Sequence, residues 1–337
     1  MVRLLPALQH LLTKPNGMSH AFDREVNAFR ENVILGIERL ADSLGPDFVT
    51  LEWLQQAVDF LRSTHAGVLN FVDRLQLPIS AGEEWINEYM NESAKLLDVC
   101  NLLKRGIGGL GHYQMHVELV LRALQNSSNS QGSGKGQFNR VMQYLADCEI
   151  EAVKLDRENR PLAEEKVEAL GWSADSYAGR KVADLPGVDS ALVLMRNTSY
   201  VVAKILLCGL VHASGAGRVL KPELTPSDGA WGACVSRMQR RFSEEIRQKQ
   251  ECIVFLHEFE QLHVLLQNLS VQMQAVQGKV QSRTYEMRMK LEVQKLKQSS
   301  DKLKNGLEVV EWHVNNFFDE IIEGRTNLLT SLSQSTI

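Results

Sequence analysis

Cysteine and proline are scarce in this 337-residue sequence, and no basic excess is present. The five cysteines, Cys100, Cys148, Cys208, Cys234 and Cys252, are scattered and form no CxxC pair. This pattern does not indicate a zinc site or a redox disulfide, and it favours a reducing compartment. The net charge is -4, so no overall field attracts a phosphate backbone, and nucleic acid is not expected as a partner.

The start of the chain does not have the features of a targeting sequence. Pro6, Gln9 and His10 interrupt the apolar run MVRLLPALQHLL, and no small-residue cleavage site follows, so secretion is not expected. Acidic residues arrive early, at Asp23 and Glu25, whereas transit peptides of plastids and mitochondria are poor in acids. The sequence therefore does not support organelle import.

Apolar residues that alternate in steps of three and four predict a series of amphipathic helices. The first stripe consists of Val26, Phe29, Val33, Ile37, Leu40 and Leu44. A second helix begins after Thr50, a predicted N-cap, and extends toward Leu75, and a third begins near Trp85. The breakers Pro78 and Gly82 separate the last two.

The strongest periodicity lies in the C-terminal region. Apolar residues recur from Cys252 to Val276 and again from Leu303 to Leu328. This spacing predicts two long antiparallel helices joined near residues 277–285. An internal bundle core is favoured, and coiled-coil pairing between molecules is the alternative that periodicity leaves open. The predicted fold is all-α, an elongated multi-helix bundle with long antiparallel C-terminal helices.

Composition divides the chain into four parts. An N-terminal segment covers 1–20, a helical part covers 21–126, and a second helical part covers 138–337. Between them, NSSNSQGSGKG contains almost nothing that can be buried, which predicts a flexible Gly/Ser linker at 127–137. We expect the two helical parts to form one continuous bundle, with the next helix at 138–159.

The most apolar stretch lies at residues 190–214, where Arg196 and Lys204 divide a run that otherwise approaches the length of a membrane span. A buried core helix whose two cations extend to its ends or edge is favoured. A membrane-spanning helix is the alternative.

Several short sequences resemble catalytic or ligand-binding motifs but lack the flanking structure or the further ligands that those motifs need. GIGGLG, from Gly106 to Gly111, matches GxGxxG, but a helical pattern precedes it where a dinucleotide site needs a strand, so an interhelical turn is predicted. His112 and His116 share a helical face but lack a third ligand, and the chain has no HExxH or GxSxG motif. No catalytic, cofactor-binding or metal-ligating residue is predicted.

One basic cluster is a candidate interaction site. It consists of Arg237, Arg240, Arg241 and Arg247. These arginines could contact anionic lipid or an acidic partner, whereas the interleaved Glu244, Glu245 and Glu251 favour pairing within the helix.

Two strings in particular, TLEWLQQAVDFLRSTHAGV at 50–68 and EEWINEYMNESAKLLDVCN at 83–101, resemble the plant BYPASS family, and GRTNLLTSL at 324–332 adds to the resemblance. The residues that match the family pattern are Trp53, His65, Trp85, Tyr89, Leu97 and Cys100. Packing is the favoured role for the tryptophans and Leu97, and capping or a hydrogen bond within the core for His65.

The resemblance implies a non-enzymatic plant developmental regulator that restrains a root-derived mobile signal controlling shoot and root growth. Such a protein works through other helical proteins, and an adaptor for exocyst subunits in secretion is one form of that role. A binder or modifier of a carotenoid-derived small molecule, with an apolar pocket beneath 190–214, is the rival from another class. The expected location is the cytoplasm, with endomembrane or peripheral membrane contact, and the chloroplast is the alternative.

Overall fold

The part of the chain that the structure describes is almost entirely helical. The computed structural model describes residues 16–45, 47, 49–74, 84–129, 134–169, 187–211, 229–248, 254–276 and 283–335. The helices in these ranges are α1 Asn16–Asp42, α2 Leu51–Arg74, α3 Glu84–Asn129, α4 Gly134–Ala169, α5 Gly187–Leu210, α6 Gly229–Gln248, α7 His257–Val276 and α8 Arg283–Ser335. Strand-like pairing within them is limited to one bridge, between Val49 and Leu256. The all-α prediction is confirmed.

The two longest helices, α3 and α8, form the spine of the bundle. They contain 46 and 53 residues, and are therefore about 70 and 80 Å long at 1.5 Å per residue. They run antiparallel, because Gln114 of α3 contacts Ser300 at 3.4 Å, whereas Ser93 contacts Arg325 at 2.6 Å.

The apolar stripe of α8 is buried by three helices. The buried positions are Leu303, Leu307, Val310, Val314, Phe317, Ile321 and Leu328. α8 packs most extensively on α3, then on α2, and only then on α7. The predicted pairing of the two C-terminal stripes is therefore incomplete, because periodicity shows which face is apolar and not which helix covers it.

α5 is the central core helix. Within the described ranges, Ser190–Leu210 is long and apolar enough to cross a membrane, but 89% of its most apolar window is buried inside the bundle. It packs against α1, α2, α3 and α6. Arg196 lies 3.4 Å from Glu88, and the Lys204 ammonium lies 3.9 Å from the centroid of the Tyr200 ring. The prediction that both cations extend to the edge is wrong for Lys204, which is only 5% exposed.

The glycine run at 106–111 lies inside α3, so the predicted interhelical turn is wrong. A Cβ at Gly106 would lie 2.4 Å from the Leu210 carbonyl oxygen at the end of α5. A Cβ at Gly109 would lie 2.5 Å from Leu155 Cδ2 in α4. These two glycines allow neighbouring helices to approach α3 closely, which the sequence pattern does not distinguish from chain breaking.

The predicted linker at 127–137 is largely helical. α3 continues to Asn129 and α4 begins at Gly134, and residues 130–133 lie outside the described residues. The polar composition of this stretch predicted a loop. A helix satisfies its own backbone hydrogen bonds, so a helix whose earlier turns are packed in the core can continue through polar residues.

The N-terminal and C-terminal helical parts pack on each other. α8 covers α2 and α3, and α5 lies against α1, α2 and α3. α1 begins at Asn16, within the predicted N-terminal segment 1–20, and residues 1–15 lie outside the described residues.

An extended segment at residues 254–256, just before α7, lies between the end of α5 and the connection from α1 to α2. The Phe255 amide donates to the Cys208 carbonyl at 3.0 Å, and the His257 amide donates to the Val49 carbonyl at 2.9 Å. The segment thereby joins the end of α5 to the connection between α1 and α2.

The N-terminus of α2 is capped from two sides. Thr50 Oγ1 accepts a hydrogen bond from the Trp53 amide at 3.2 Å, so the predicted N-cap is confirmed. The buried Glu258 carboxylate accepts one from the Leu51 amide at 3.1 Å and lies 3.4 Å from Lys302 Nζ. A carboxylate is favourable at this end of the helix, because the backbone amides there point at it.

Candidate functional site

All six residues that carry the family resemblance lie in or against the core. Trp53 is buried and donates from Nε1 to the Leu40 carbonyl at 3.0 Å. Trp85 is buried, and its Nε1 has no hydrogen-bond partner among the described residues. Leu97 is half-buried at the edge of the core, and Cys100 is fully enclosed.

The other two, His65 and Tyr89, form a buried polar pair where α2, α3 and α8 meet. Tyr89 Oη and His65 Nε2 are 2.9 Å apart, and the two residues are 0% and 1% exposed. The Phe317 ring of α8 meets the His65 ring edge-on, with centroids 6.0 Å apart. A Cβ at Gly324 would lie 2.9 Å from the Tyr89 hydroxyl, so this crossing of α8 requires a glycine.

Burial keeps both members of this pair neutral. It lowers the pKa of His65 from 6.5 to about 4, against the opposing charge of Glu320. Burial likewise raises the pKa of Tyr89, against the opposing charge of Arg325. A general acid or base works best with a pKa near the working pH and with access to substrate. The geometry and protonation of this pair suit a structural hydrogen bond.

Charged side chains fix α8 beside the pair. Arg325 Nη1 donates to the Met90 carbonyl at 2.5 Å and to Ser93 Oγ at 2.6 Å, and so attaches α8 to α3. The Arg62 guanidinium lies 2.5 Å from Glu320 Oε1 and attaches α8 to α2. Charge-assisted bonds of this kind are stronger than neutral ones, and they define the register of the three helices.

A second tyrosine–histidine pair joins α3 to α7. Tyr113 Oη lies 3.1 Å from His263 Nδ1, and the Phe259 ring stacks on the imidazole with centroids 5.7 Å apart. The other imidazole nitrogen lies 3.0 Å from Gln267 Nε2 and 3.7 Å from the Glu149 carboxylate of α4. Burial lowers the pKa of His263, and Glu149 opposes that change.

The described cysteines are not suited to nucleophilic chemistry. Burial raises the pKa of Cys100, Cys148 and Cys208 to about 12, and it also raises the pKa of Cys234. The reactive form of cysteine is the thiolate, so these thiols remain in their unreactive form at neutral pH. Cys252 lies outside the described residues.

Among the described residues, His112 and His116 have no third metal ligand beside them. His116 Nδ1 lies 3.0 Å from the His112 carbonyl oxygen, within the same helix. Across the described ranges, no group of three His, Cys, Asp or Glu side chains is arranged to hold a metal ion.

Two of the four predicted interaction arginines hold α6 against α1. Arg241 donates to the Leu44 carbonyl and, at 2.8 Å, to the Gly45 carbonyl. Arg237 lies 2.8 Å from the Asp42 carboxylate. These side chains bind groups at the C-terminal end of α1, where cations are favourable.

Arg240 and Arg247 are the two members of that cluster that remain exposed. They lie seven residues apart on the outer face of α6, and the exposed Glu244 lies between them. A carboxylate four residues from Arg240 reduces the local positive charge. Arg240 and Arg247 are therefore the part of the cluster that is available to a partner.

An exposed aromatic side chain on α8 was missed by the sequence analysis. Trp312 is 57% exposed, and its neighbour Val309 is 42% exposed. Beside them, His313 Nδ1 lies 2.7 Å from Asp59 of α2, which fixes this part of the helix. The signal was present in the sequence, because Trp312 falls between the buried stripe positions Val310 and Val314. Tryptophan is enriched among residues that dominate binding at protein interfaces.

A groove of about 720 Å³ lies between α7 and α8, near the end of α6. Its lining residues are Asp47, Glu245, His257, Glu260, Gln261, Val264, Leu265, Lys295, Gln298 and Ser299. The groove does not border α5, beneath which the rival small-molecule hypothesis placed an apolar pocket. Eight of its ten lining residues are polar or charged, whereas hydrophobic and aromatic side chains predominate in ligand pockets.

Comparison with known proteins places the chain in a family. It matches the family described as "Protein ROH1-like" over residues 16–204 and 183–332. "Protein BPS1, chloroplastic" from Arabidopsis thaliana is 25% identical over 334 residues, which cover 96% of this chain and 88% of that protein. "Protein ROH1D" from Arabidopsis thaliana is 22% identical over 363 residues, which cover 93% and 89%. "UPF0496 protein 4" from Oryza sativa is 29% identical over 112 residues, which cover 33% and 25%.

No solved structure matches the chain significantly. The family match covers both the N-terminal and the C-terminal helical parts. The similarity to BPS1 over nearly the whole chain also confirms the resemblance to the BYPASS family. The chain therefore belongs to the ROH1-like family.

Proposed function

We propose that the protein is a non-enzymatic regulator of plant growth and development that acts by binding other proteins. One observation carries this proposal: the side chains best suited to chemistry serve helix packing. His65 and His263 are bonded to tyrosines, and the described cysteines are buried thiols with raised pKa values. The BYPASS resemblance supports a role in restraining a root-derived mobile signal that controls shoot and root growth.

The partners are other helical proteins, with exocyst subunits as the leading candidates. A long helix with an exposed ridge suits recognition by a groove between helices or by another helix. Trp312 and Val309 supply exposed apolar area at a part of α8 that is fixed to α2. Arg240 and Arg247 supply a second, polar contact on α6.

The protein acts in the cytoplasm beside endomembranes. The chloroplast is the second candidate, and the name of BPS1, which includes "chloroplastic", favours it. Imaging of the full chain fused at its C-terminus to a fluorescent protein distinguishes the two. Signal confined to plastids would refute the cytoplasmic location.

Proximity labelling in root cells tests the interaction role. We expect wild-type protein to label helical components of vesicle tethering, and Trp312→Ala to lose most of that labelling because it removes an exposed anchor. Leu329→Ala on the same helix is the matched control, since Leu329 is also exposed, at 54%. Trp85→Ala, in the core, controls for loss of fold.

Two results would contradict the proposal. Labelling of vesicle-tethering components that is equally reduced in Trp312→Ala and Leu329→Ala would remove the specific role of Trp312. Recovery of plastid enzymes alone, unchanged by Trp312→Ala, would contradict the adaptor and favour the small-molecule rival.

A further inference from the structure

The first part of α8, residues 287–305, carries two rows of cations. One row is Arg288, Lys295 and Lys302, and the other is Lys290, Lys297 and Lys304. Members of a row are seven residues apart, so each row keeps to one side of the helix. Six cations are accompanied by two acids, Glu292 and Asp301, which leaves a local excess of four positive charges in a protein of net charge -4. We call these two rows the basic face.

A mostly uncharged ridge separates the two rows. Met287 and Leu291 are 70% and 52% exposed at its start. Gln294, Gln298 and Asn305 continue it, and each is exposed. The ridge therefore has an apolar beginning and a polar continuation, with cations on both sides.

The part of α7 that follows Glu260 adds apolar area without adding charge, whereas Glu260 itself lines the groove with Lys295. Val264 and Val271 are 46% and 65% exposed and lie seven residues apart, on one face of the helix. Val264 lines the same groove as Lys295 and Gln298, so this face of α7 borders the basic face. No residue of α7 after Glu260 carries a formal charge at neutral pH, if histidine is taken as neutral.

The positive charge is least compensated near the start of α8. Lys302 and Lys304 lie 3.4 and 3.1 Å from acidic side chains on other helices, and Lys295 lies 3.2 Å from Glu292. By contrast, Arg288 and Lys290 are exposed and make no ion pair with any described residue, and the same is true of Lys297. Unpaired exposed cations are available to an external anion.

We propose that the basic face binds the surface of an anionic membrane, with Met287 and Leu291 in the headgroup region. Charge complementarity identifies the ligand as anionic lipid, and exposed apolar side chains between cations are typical of helices that lie in a membrane interface. This surface is distinct from Trp312 and from the arginines of α6, and it goes beyond the proposed protein-binding function.

The spacing of the ridge residues also resembles the seam of a coiled coil, but the residue types argue against an acidic helix as the partner. Pairing with another helix would bury Gln294, Gln298 and Asp301 at seam positions, and polar groups lose hydration there. At a membrane surface the same side chains remain hydrated among headgroups. The chemistry of the ridge therefore favours lipid.

Vesicle co-sedimentation of the full chain tests this proposal. We expect binding to phosphatidylcholine vesicles that contain phosphatidylserine, little binding to pure phosphatidylcholine, and weaker binding as salt is added. Each cation near an anionic leaflet contributes about a factor of five, so Arg288→Gln/Lys290→Gln/Lys297→Gln should bind about 100-fold more weakly. Met287→Ser/Leu291→Ser retains every charge and should bind roughly tenfold more weakly.

The matched control removes three exposed cations elsewhere, by Arg24→Gln/Arg105→Gln/Arg157→Gln. This control lowers the net charge by three, as the basic-face charge variant does, and it should bind anionic vesicles as wild type does. Circular dichroism should show equal helix content in all variants, because every substituted side chain is exposed. Equal binding by the two charge variants would overturn the proposal. So would equal binding to neutral and anionic vesicles, or binding of the basic face to an acidic protein without any retention on vesicles.

Discussion

Two tyrosine–histidine pairs on one helix differ in how far they are closed from solvent. Tyr89 and Tyr113 both project from α3, toward His65 of α2 and His263 of α7. α8 crosses the first pair at Gly324, and this crossing leaves His65 only 1% exposed. At the second pair Tyr113 is equally buried, but the His263 side chain is 17% exposed.

The comparison shows that a tyrosine–histidine hydrogen bond affects the histidine pKa differently according to how deeply the imidazole is buried. At the first pair, burial dominates, and the pKa of His65 is lowered to about 4. At the second pair, burial also lowers the pKa of His263, but Gln267 and Glu149 reach the imidazole from its open side. Both histidines therefore make stability depend on pH, and His65, which no carboxylate contacts directly, is expected to have the larger effect.

The largest expected effect is the dependence of stability on pH at His65. Its pKa is lower in the folded state than in the unfolded state, so between pH 6.5 and pH 4 the unfolded chain binds more protons. The stabilisation present above pH 6.5 is lost as the pH falls, and the loss reaches about 3 kcal/mol near pH 4. Urea unfolding at several pH values should show a flatter dependence for His65→Gln than for wild type, and equal slopes would refute this account.

The glycine at the closed pair gives the next largest effect. In Gly324→Ala, the new Cβ would lie 2.6 Å from Leu69 Cδ1 and 2.9 Å from the Tyr89 hydroxyl. We expect a loss of about 2 kcal/mol in the free energy of unfolding, because overpacking outweighs the better helix propensity of alanine. Gly108→Ala, with nothing within 4 Å of its Cβ, should instead stabilise by up to about 1 kcal/mol. Similar values for the two variants would remove the role assigned to the crossing.

Removing each tyrosine hydroxyl compares the pairs directly. Tyr89→Phe leaves a buried imidazole without its 2.9 Å partner and should cost about 1.5 kcal/mol in the free energy of unfolding. Tyr113→Phe should cost about 0.5 kcal/mol, because His263 keeps its contact with Gln267 and some access to water. Chemical denaturation of both variants measures the difference, and a larger cost at Tyr113 would reverse the comparison.

The smallest effect concerns Glu149. Its carboxylate raises the pKa of His263 against the effect of burial, so Glu149→Gln should lower that pKa further. NMR titration of the His263 ring protons measures the change. The Glu149→Ala variant gives the same test without the amide, and an unchanged or raised pKa would contradict the assigned contact.

Much of the fold could be predicted from local pattern. The stripe from Val26 to Leu40 lies in α1, Leu44 follows the end of that helix, and Thr50 is the N-cap of α2. These features depend on neighbours within about one turn of helix, and sequence spacing reports them directly.

The candidate sites were harder to predict, because their members come from distant parts of the chain. His65 and Tyr89 could be singled out by resemblance, but nothing local indicates that Gly324 and Phe317 complete their surroundings. The four arginines of α6 form one basic cluster in the sequence, which predicted a surface for a partner. In the structure, Arg241 instead binds carbonyl groups at the end of α1. Pairing between distant segments is a property of the packed chain.

The amino-acid sequence by itself determined that this chain forms long amphipathic helices, because the period of its apolar residues matches the turn of a helix. The tertiary structure alone decided that α8 packs more extensively on α3 and α2 than on α7. It also decided that neighbouring helices cross closely at Gly106 and Gly324. The physical reason is that apolar attraction is non-directional. A stripe can pack on any similar stripe, and only the fit of side chains at close approach selects the partner and the register.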